Sequence, residues 1–180
     1  VSDRIVLWDR GRIVGLGKPG RTVQHYRGMS LAKHVSGMER EWGTGEVKIH
    51  DADFMTPDGR ATTTFESGRG LRARIHYRCE TPVERPVFGF ALSDAKGRLI
   101  YGSNTQIDGA DIERIDGAGT LEVTLEELPL AAGTYLFSFS IHSEDHRVNY
   151  HRLDHYFPIA IESEEPFEGV CRIPCRWQHG

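Results

Sequence analysis

The chain has only three cysteines in 180 residues, and none forms a CxxC pair. An odd count without paired spacing excludes the disulfide framework of a small secreted domain. Cys79 shares the apolar parity of Leu71, Ala73, Ile75 and Tyr77, which suits a small buried hydrophobe. No apolar run approaches the ~18 residues of a membrane-spanning helix, and the first residues lack the basic-then-apolar order of a signal peptide. A soluble, cytoplasmic chain is expected. Neither GxSxG nor HExxH occurs, so no catalytic motif presents itself. Gly15-Leu16-Gly17-Lys18-Pro19 is not a phosphate loop: that loop needs Ser or Thr after the lysine, and Pro19 removes both the hydroxyl and a backbone donor. No cofactor is implied. Basic residues are scarce over most of the chain. Residues 1 to 40 hold eight Lys/Arg against three Asp/Glu, a balance of +5, whereas residues 41 to 180 hold fourteen against twenty-three, a balance of −9. Such a surface repels polyanions, and nucleic acid is a poor partner for it.

What is present is alternation. In Gly133 to His142, Tyr135, Phe137, Phe139 and Ile141 share one face, while Thr134, Leu136, Ser138, Ser140 and His142 share the other. This period of two predicts a half-buried strand with an apolar core side and a small, polar outer side. Similar runs span Glu46 to Met55, Thr62 to Glu66, Leu71 to Cys79, Val87 to Ser93, Leu99 to Thr105, Gly119 to Leu125, Tyr156 to Ile161 and Val170 to Ile173. Turn signals such as Pro57-Asp58-Gly59, Asp94-Ala95-Lys96-Gly97 and Asp116-Gly117 separate them. Nine runs without a long helix predict two packed antiparallel sheets, an all-β sandwich beginning at Gly43. Residues 28 to 42 read as a linker with weak helical spacing at Leu31, Val35 and Met38. Residues 1 to 27 read as two short strands about an Asp9-Arg10-Gly11 turn, followed by a helix start. Val1 in place of an initiator Met suggests a segment of a longer polypeptide.

Two resemblances follow from these residues. Ser2-Asp3-Arg4-Ile5-Val6-Leu7-Trp8-Asp9-Arg10-Gly11-Arg12-Ile13-Val14, with Gly17, Pro19 and a Val23-to-Tyr26 helix, resembles the closing segment of an ABC-transporter ATPase domain. An ordered series follows it: Trp42-Gly43-Thr44-Gly45-Glu46-Val47-Lys48-Ile49, Phe88-Gly89-Phe90, Asn104-Thr105, Leu128-Pro129-Leu130-Ala131-Ala132-Gly133-Thr134-Tyr135, Phe157-Pro158-Ile159, Gly169-Val170, Ile173-Pro174 and Trp177. It resembles the C-terminal domain of the ATPase subunit of O-antigen polysaccharide exporters, the Wzt type. The resemblance implies an immunoglobulin-like carbohydrate-binding sandwich, dimeric through an exchanged terminal strand, that recognises the O-antigen polysaccharide before export. The transmembrane subunit of the transporter is then a partner, at the cytoplasmic face of the inner membrane.

A saccharide site needs a flat apolar surface bordered by a few polar groups. If Phe88, Phe90 and Leu92 point inward, Gly89, Ala91 and Ser93 point outward and match Ser138 and Ser140 in size. Gly89, Ala91, Ser138 and Ser140 are therefore the candidate floor of a shallow trough. Arg74, His76, His142 and Tyr150 are the candidate polar and stacking contacts. For Arg72, Arg74, His76 and Arg78 an ordinary solvated strand face is the competing reading. The polar segment Ser143 to Tyr156 is expected to form a long loop or ragged hairpin, with Tyr150 and Tyr156 available to stack and Asp154 to accept hydroxyls. His146, His151 and His155, spaced five and four apart without a cysteine, do not make a metal site. Two rivals stand beside the binding module: a domain that only pairs ATPase subunits, with Val170 to Pro174 adding as a strand to a partner, and a sugar-modifying enzyme.

Overall fold

The computed structural model describes residues 5–9, 12–17 and 40–179. The expected Val23-to-Tyr26 helix and all but the end of the expected linker lie outside the described residues. The first pair of strands, β1 (Ile5–Asp9) and β2 (Arg12–Gly17), forms the antiparallel hairpin expected there. At the end of the expected linker, β3 (Glu41–Trp42) pairs with the late strand at Leu153 and Arg152.

The rest is all β, in two facing sheets. One sheet is β4 (Val47–Met55), β6 (Leu71–Cys79) and β11 (Ala118–Leu125), with β6 in the middle. The other runs β3, β13 (Asn149–Glu162), β12 (Gly133–His142), β8 (Val87–Asp94) and β9 (Leu99–Asn104), and β5 (Thr64–Glu66) joins β13 in the one parallel pairing. A small pair, β7 (Val83–Glu84) with β10 (Arg114–Ile115), closes one end. The core lies where the inward parities meet. Val47, Ile49, Phe54, Leu71, Ala73 and Ile75 face Phe88, Leu92, Phe137, Phe139, Ile141 and Leu153, and the Phe54 and Phe137 rings lie 5.1 Å apart. Cys79 is buried among them and its thiol donates to the Gly117 carbonyl.

Three readings of the sequence are corrected here. The polar stretch from Ser143 is a loop only to Val148, after which β13 runs as one strand from Asn149, paired with β12 across two register shifts. Its apolar alternation is concealed because the inward position 151 is a buried histidine, and because three residues, Asp154 to Tyr156, oppose the single Ser138 between the Phe137–Phe157 and Phe139–Leu153 pairs. The expected Val170 to Ile173 strand reduces to one bridge, Leu130 to Cys171, flanked by backbone bonds from Ala131 to Val170 and from Arg172 to Pro129. Finally, the outer side of β12 is not uniformly open, since Leu136 is fully buried and Ser138 is 4% exposed.

Candidate functional site

Register assembles the trough. Antiparallel pairing of β12 with β8 sets Ser138 opposite Ala91 and Ser140 opposite Gly89, and directly opposed residues share a face. Pairing of β8 with β9 extends these rows to Gly102 and Asn104, and pairing of β12 with β13 extends the second to Arg152. One row thus reads Asn104, Gly89, Ser140, Arg152: two small residues bracketed by two polar ones. Above it lies a cavity of about 240 Å3 lined by all four expected floor residues and by His142, with His146 and Asn149 at one end. Gly89 keeps this spot low: a Cβ built there meets Ser140 Oγ at 2.8 Å, so a larger residue would displace that hydroxyl and raise the floor. Among the described residues no carboxylate lines the cavity, although the surrounding chain is acidic.

The two floor serines differ. Ser138 Oγ accepts the His155 backbone N–H at 2.8 Å, which pairs an amide displaced from the ladder by the extra residues of β13. Ser140 Oγ has no hydrogen-bond partner among the described residues, so both its donor and its acceptors are available. Arg152 is oriented from behind: its Nε donates to Asp154 Oδ1 at 2.8 Å, Trp42 Nε1 donates to Asp154 Oδ2 at 3.1 Å, and the guanidinium lies 5.9 Å from the Trp42 ring centroid. Its terminal nitrogens remain as donors.

His142 is 9% exposed and its Nδ1 lies 3.1 Å from the Ser143 carbonyl. A carbonyl only accepts, so Nδ1 carries the proton and Nε2 of the neutral ring is an acceptor. Burial holds this imidazole below its ordinary pKa; the Ser143 carbonyl opposes the shift, and His146 and Arg152 add to it. The His146 ring lies tilted against it with centroids 4.4 Å apart, and its Nε2 is 2.6 Å from Gln106 Oε1. Asn104 Oδ1 accepts from the Ile107 N–H at 2.8 Å, which leaves its amide nitrogen to donate.

Arg74, His76 and Tyr150 do not reach this cavity. Arg74 and His76 are outward on β6, which places them on the opposite sheet, where Arg74 pairs with Glu122 at 3.0 Å and His76 with Asp53 at 2.9 Å. Tyr150 is half-buried against the core. Asn104, His146, Asn149 and Arg152 line the cavity without being expected as saccharide contacts; in the sequence His146 is weighed only as a metal ligand and Asn104 only as part of the family resemblance. Arg152 was findable, since it shares the outward parity of Ser140, but only once the strand was known to start before it. Among the described residues no group of three or more His, Cys, Asp or Glu is placed to hold a metal ion. His151 is turned inward, accepting the Ile49 N–H through Nδ1, far in role from the loop residue His146.

Fold and trough together define a β-sandwich with a shallow polar recess on the outer face of its larger sheet. The chain belongs to the Wzt C-terminal domain family, whose model matches residues 38–173. It is 26% identical over 193 residues to the O-antigen export system ATP-binding protein RfbB of Myxococcus xanthus, a match covering 96% of this chain and 43% of that protein. The chain therefore spans less than half the length of that relative. Among solved structures, the crystal structure of the C-terminal domain of Wzt superposes with a TM-score of 0.70 at 19% identity, covering 80% of this chain and 90% of the other. That likeness supports the fold.

Proposed function

We propose that residues 43–180 form a non-catalytic carbohydrate-binding module of an O-antigen ABC exporter's ATP-binding subunit, attached through a linker at 28–42 to an ATPase tail at 1–27. It holds the O-polysaccharide at the cytoplasmic face of the inner membrane and delivers it to the transmembrane subunit. The observation that carries this reading is the row Asn104, Gly89, Ser140, Arg152. It combines a flat floor, on which the C–H face of a sugar ring can rest, with flanking donors and acceptors that are not consumed by the protein. Gly102 keeps the next strand equally low, since a Cβ there meets the Phe90 carbonyl oxygen at 3.1 Å. Screening on an array of bacterial glycans, followed by titration with the best binder, tests it. Saturable binding that is lost in Gly89→Val is expected; no saturable binding, or unchanged binding by Gly89→Val, overturns it.

Dimerisation is favoured by a separate observation. The segment after the Cys171 bridge joins no sheet among the described residues and leaves Ile173 76% and Trp177 94% exposed, which suits a strand added to a second copy. A dimer would present two troughs to one polymer and raise apparent affinity through effective concentration. Sedimentation of a chain ending before Pro166 should show monomers; an unchanged dimer refutes exchange of this segment.

A further inference from the structure

A second cavity, of about 400 Å3, adjoins the trough. No residue lines both, but their linings are neighbours at three points. Asn104 lines the first and its chain neighbour Thr105 the second; His142 lines the first and its cross-strand partner Val87 the second. Gln106 lines the second cavity while its Oε1 bonds His146 of the first, so this one side-chain pair stands as the partition.

The chemistry changes across that partition. Among the described residues no carboxylate lines the first cavity, whereas Glu84, Asp111, Glu113 and Glu144 line the second. Glu144 is neutralised by Arg85 at 2.9 Å and Glu84 lies 3.6 Å from Arg114. Asp111 and Glu113 have no ion pair among the described residues, and their oxygens are available acceptors. The segment bearing them is fixed by its backbone: Ala110 N–H donates to the Thr105 carbonyl at 2.7 Å and Arg85 N–H to the Glu113 carbonyl at 2.8 Å. Pro86, Val87 and Ile112 supply apolar wall between the carboxylates. An apolar wall beside charged acceptors complements a sugar's C–H face and its hydroxyls. Size argues the same way. The first cavity alone is smaller than the ~300–1,000 Å3 of ordinary ligand pockets, while the two together fall inside that range. A polymer held in the trough must also continue past its edge, and this cavity offers an adjoining concavity.

We propose that the second cavity is a second saccharide subsite, taking the unit next to the one in the trough, and that its carboxylates select a donor-rich sugar, uncharged or bearing an amino group, against an acidic one. The proposal rests on the reading of the trough as a glycan site. The test uses the 180-residue chain and an array of bacterial glycan fragments of one to four units, with free fragments of each binder titrated in solution. Wild type should bind fragments of two or more units at least tenfold more tightly than the single unit. Asp111→Ala combined with Glu113→Ala, both at exposed positions, should lose roughly that tenfold for the longer fragments and nothing for the single unit. Arg152→Ala, in the trough, should weaken both. Equal binding of the longer fragments by wild type and the double variant, while Arg152→Ala still weakens them, overturns the second subsite and leaves the trough standing. Binding of no glycan by wild type overturns the trough reading and this inference with it.

Discussion

Ser138 and Ser140 lie two residues apart on the same face of one strand, yet replacing each with alanine should produce opposite phenotypes. Ser138 Oγ is buried and accepts the His155 N–H, an amide that the extra residues of β13 remove from the ladder. Ser138→Ala strands that donor. The loss should be about 1–3 kcal/mol, the cost of an unsatisfied buried group rather than of an average hydrogen bond. Ser140 Oγ bonds nothing among the described residues, so Ser140→Ala should leave stability within about 0.5 kcal/mol of wild type. If a sugar hydroxyl uses that oxygen, however, binding should weaken roughly two- to tenfold, the range for one neutral hydrogen bond. Urea unfolding gives the stability half, provided the two variants share the wild-type denaturant slope, so that midpoints compare directly. Calorimetric titration with an array-selected glycan gives the other half. Equal stability losses in the two variants would refute the division of labour between the serines, as would a Ser138→Ala midpoint indistinguishable from wild type.

Three further outcomes are expected. Gly43→Ala should destabilise the domain by about 1–3 kcal/mol in urea titration, because Gly43 has φ +141° and a Cβ there would lie 2.4 Å from the Tyr150 carbonyl oxygen. Asp154→Asn should leave the fold intact by circular dichroism but weaken glycan binding, because the carboxylate that joins Trp42 Nε1 to Arg152 Nε loses its charge. Stability should fall as pH is lowered from about 7 towards 5, and less steeply in His142→Gln. The folded state holds His142 below its ordinary value near 6.5, so the unfolded chain binds the proton more readily; the contribution is complete above that value and is lost as pH falls. A urea midpoint equally pH-dependent in both proteins would remove His142 as the cause.

Strand-face parity was legible in the sequence wherever a strand was regular. Phe137, Phe139 and Ile141 are buried as their spacing requires, Phe88 and Leu92 likewise, and the small residues between them do meet across β8 and β12. Parity assigns each residue to a side of its own strand, but it cannot say which sheet that strand joins. Arg74 and His76 point outward as expected, and outward on β6 is the far side of the sandwich, where Glu122 and Asp53 engage them. The polar wall of the trough was hidden for a different reason. The two extra residues between Leu153 and Phe157 leave both on one parity, but the inward His151 and the polar Asp154 and His155 interrupt the apolar series, so that a continuous fourteen-residue strand reads as a loop followed by a short strand. That irregularity is the same feature that occupies Ser138, and the strand beside it carries Asp154 and Arg152 into contact with Trp42. A residue of the supposed linker thus braces the trough wall, because β3 adds to the edge of β13. The segment that enters the domain is therefore mechanically part of the recess, and strain placed on it would reach Arg152 through two hydrogen bonds, a connection visible only when pairing partners more than a hundred residues apart are known.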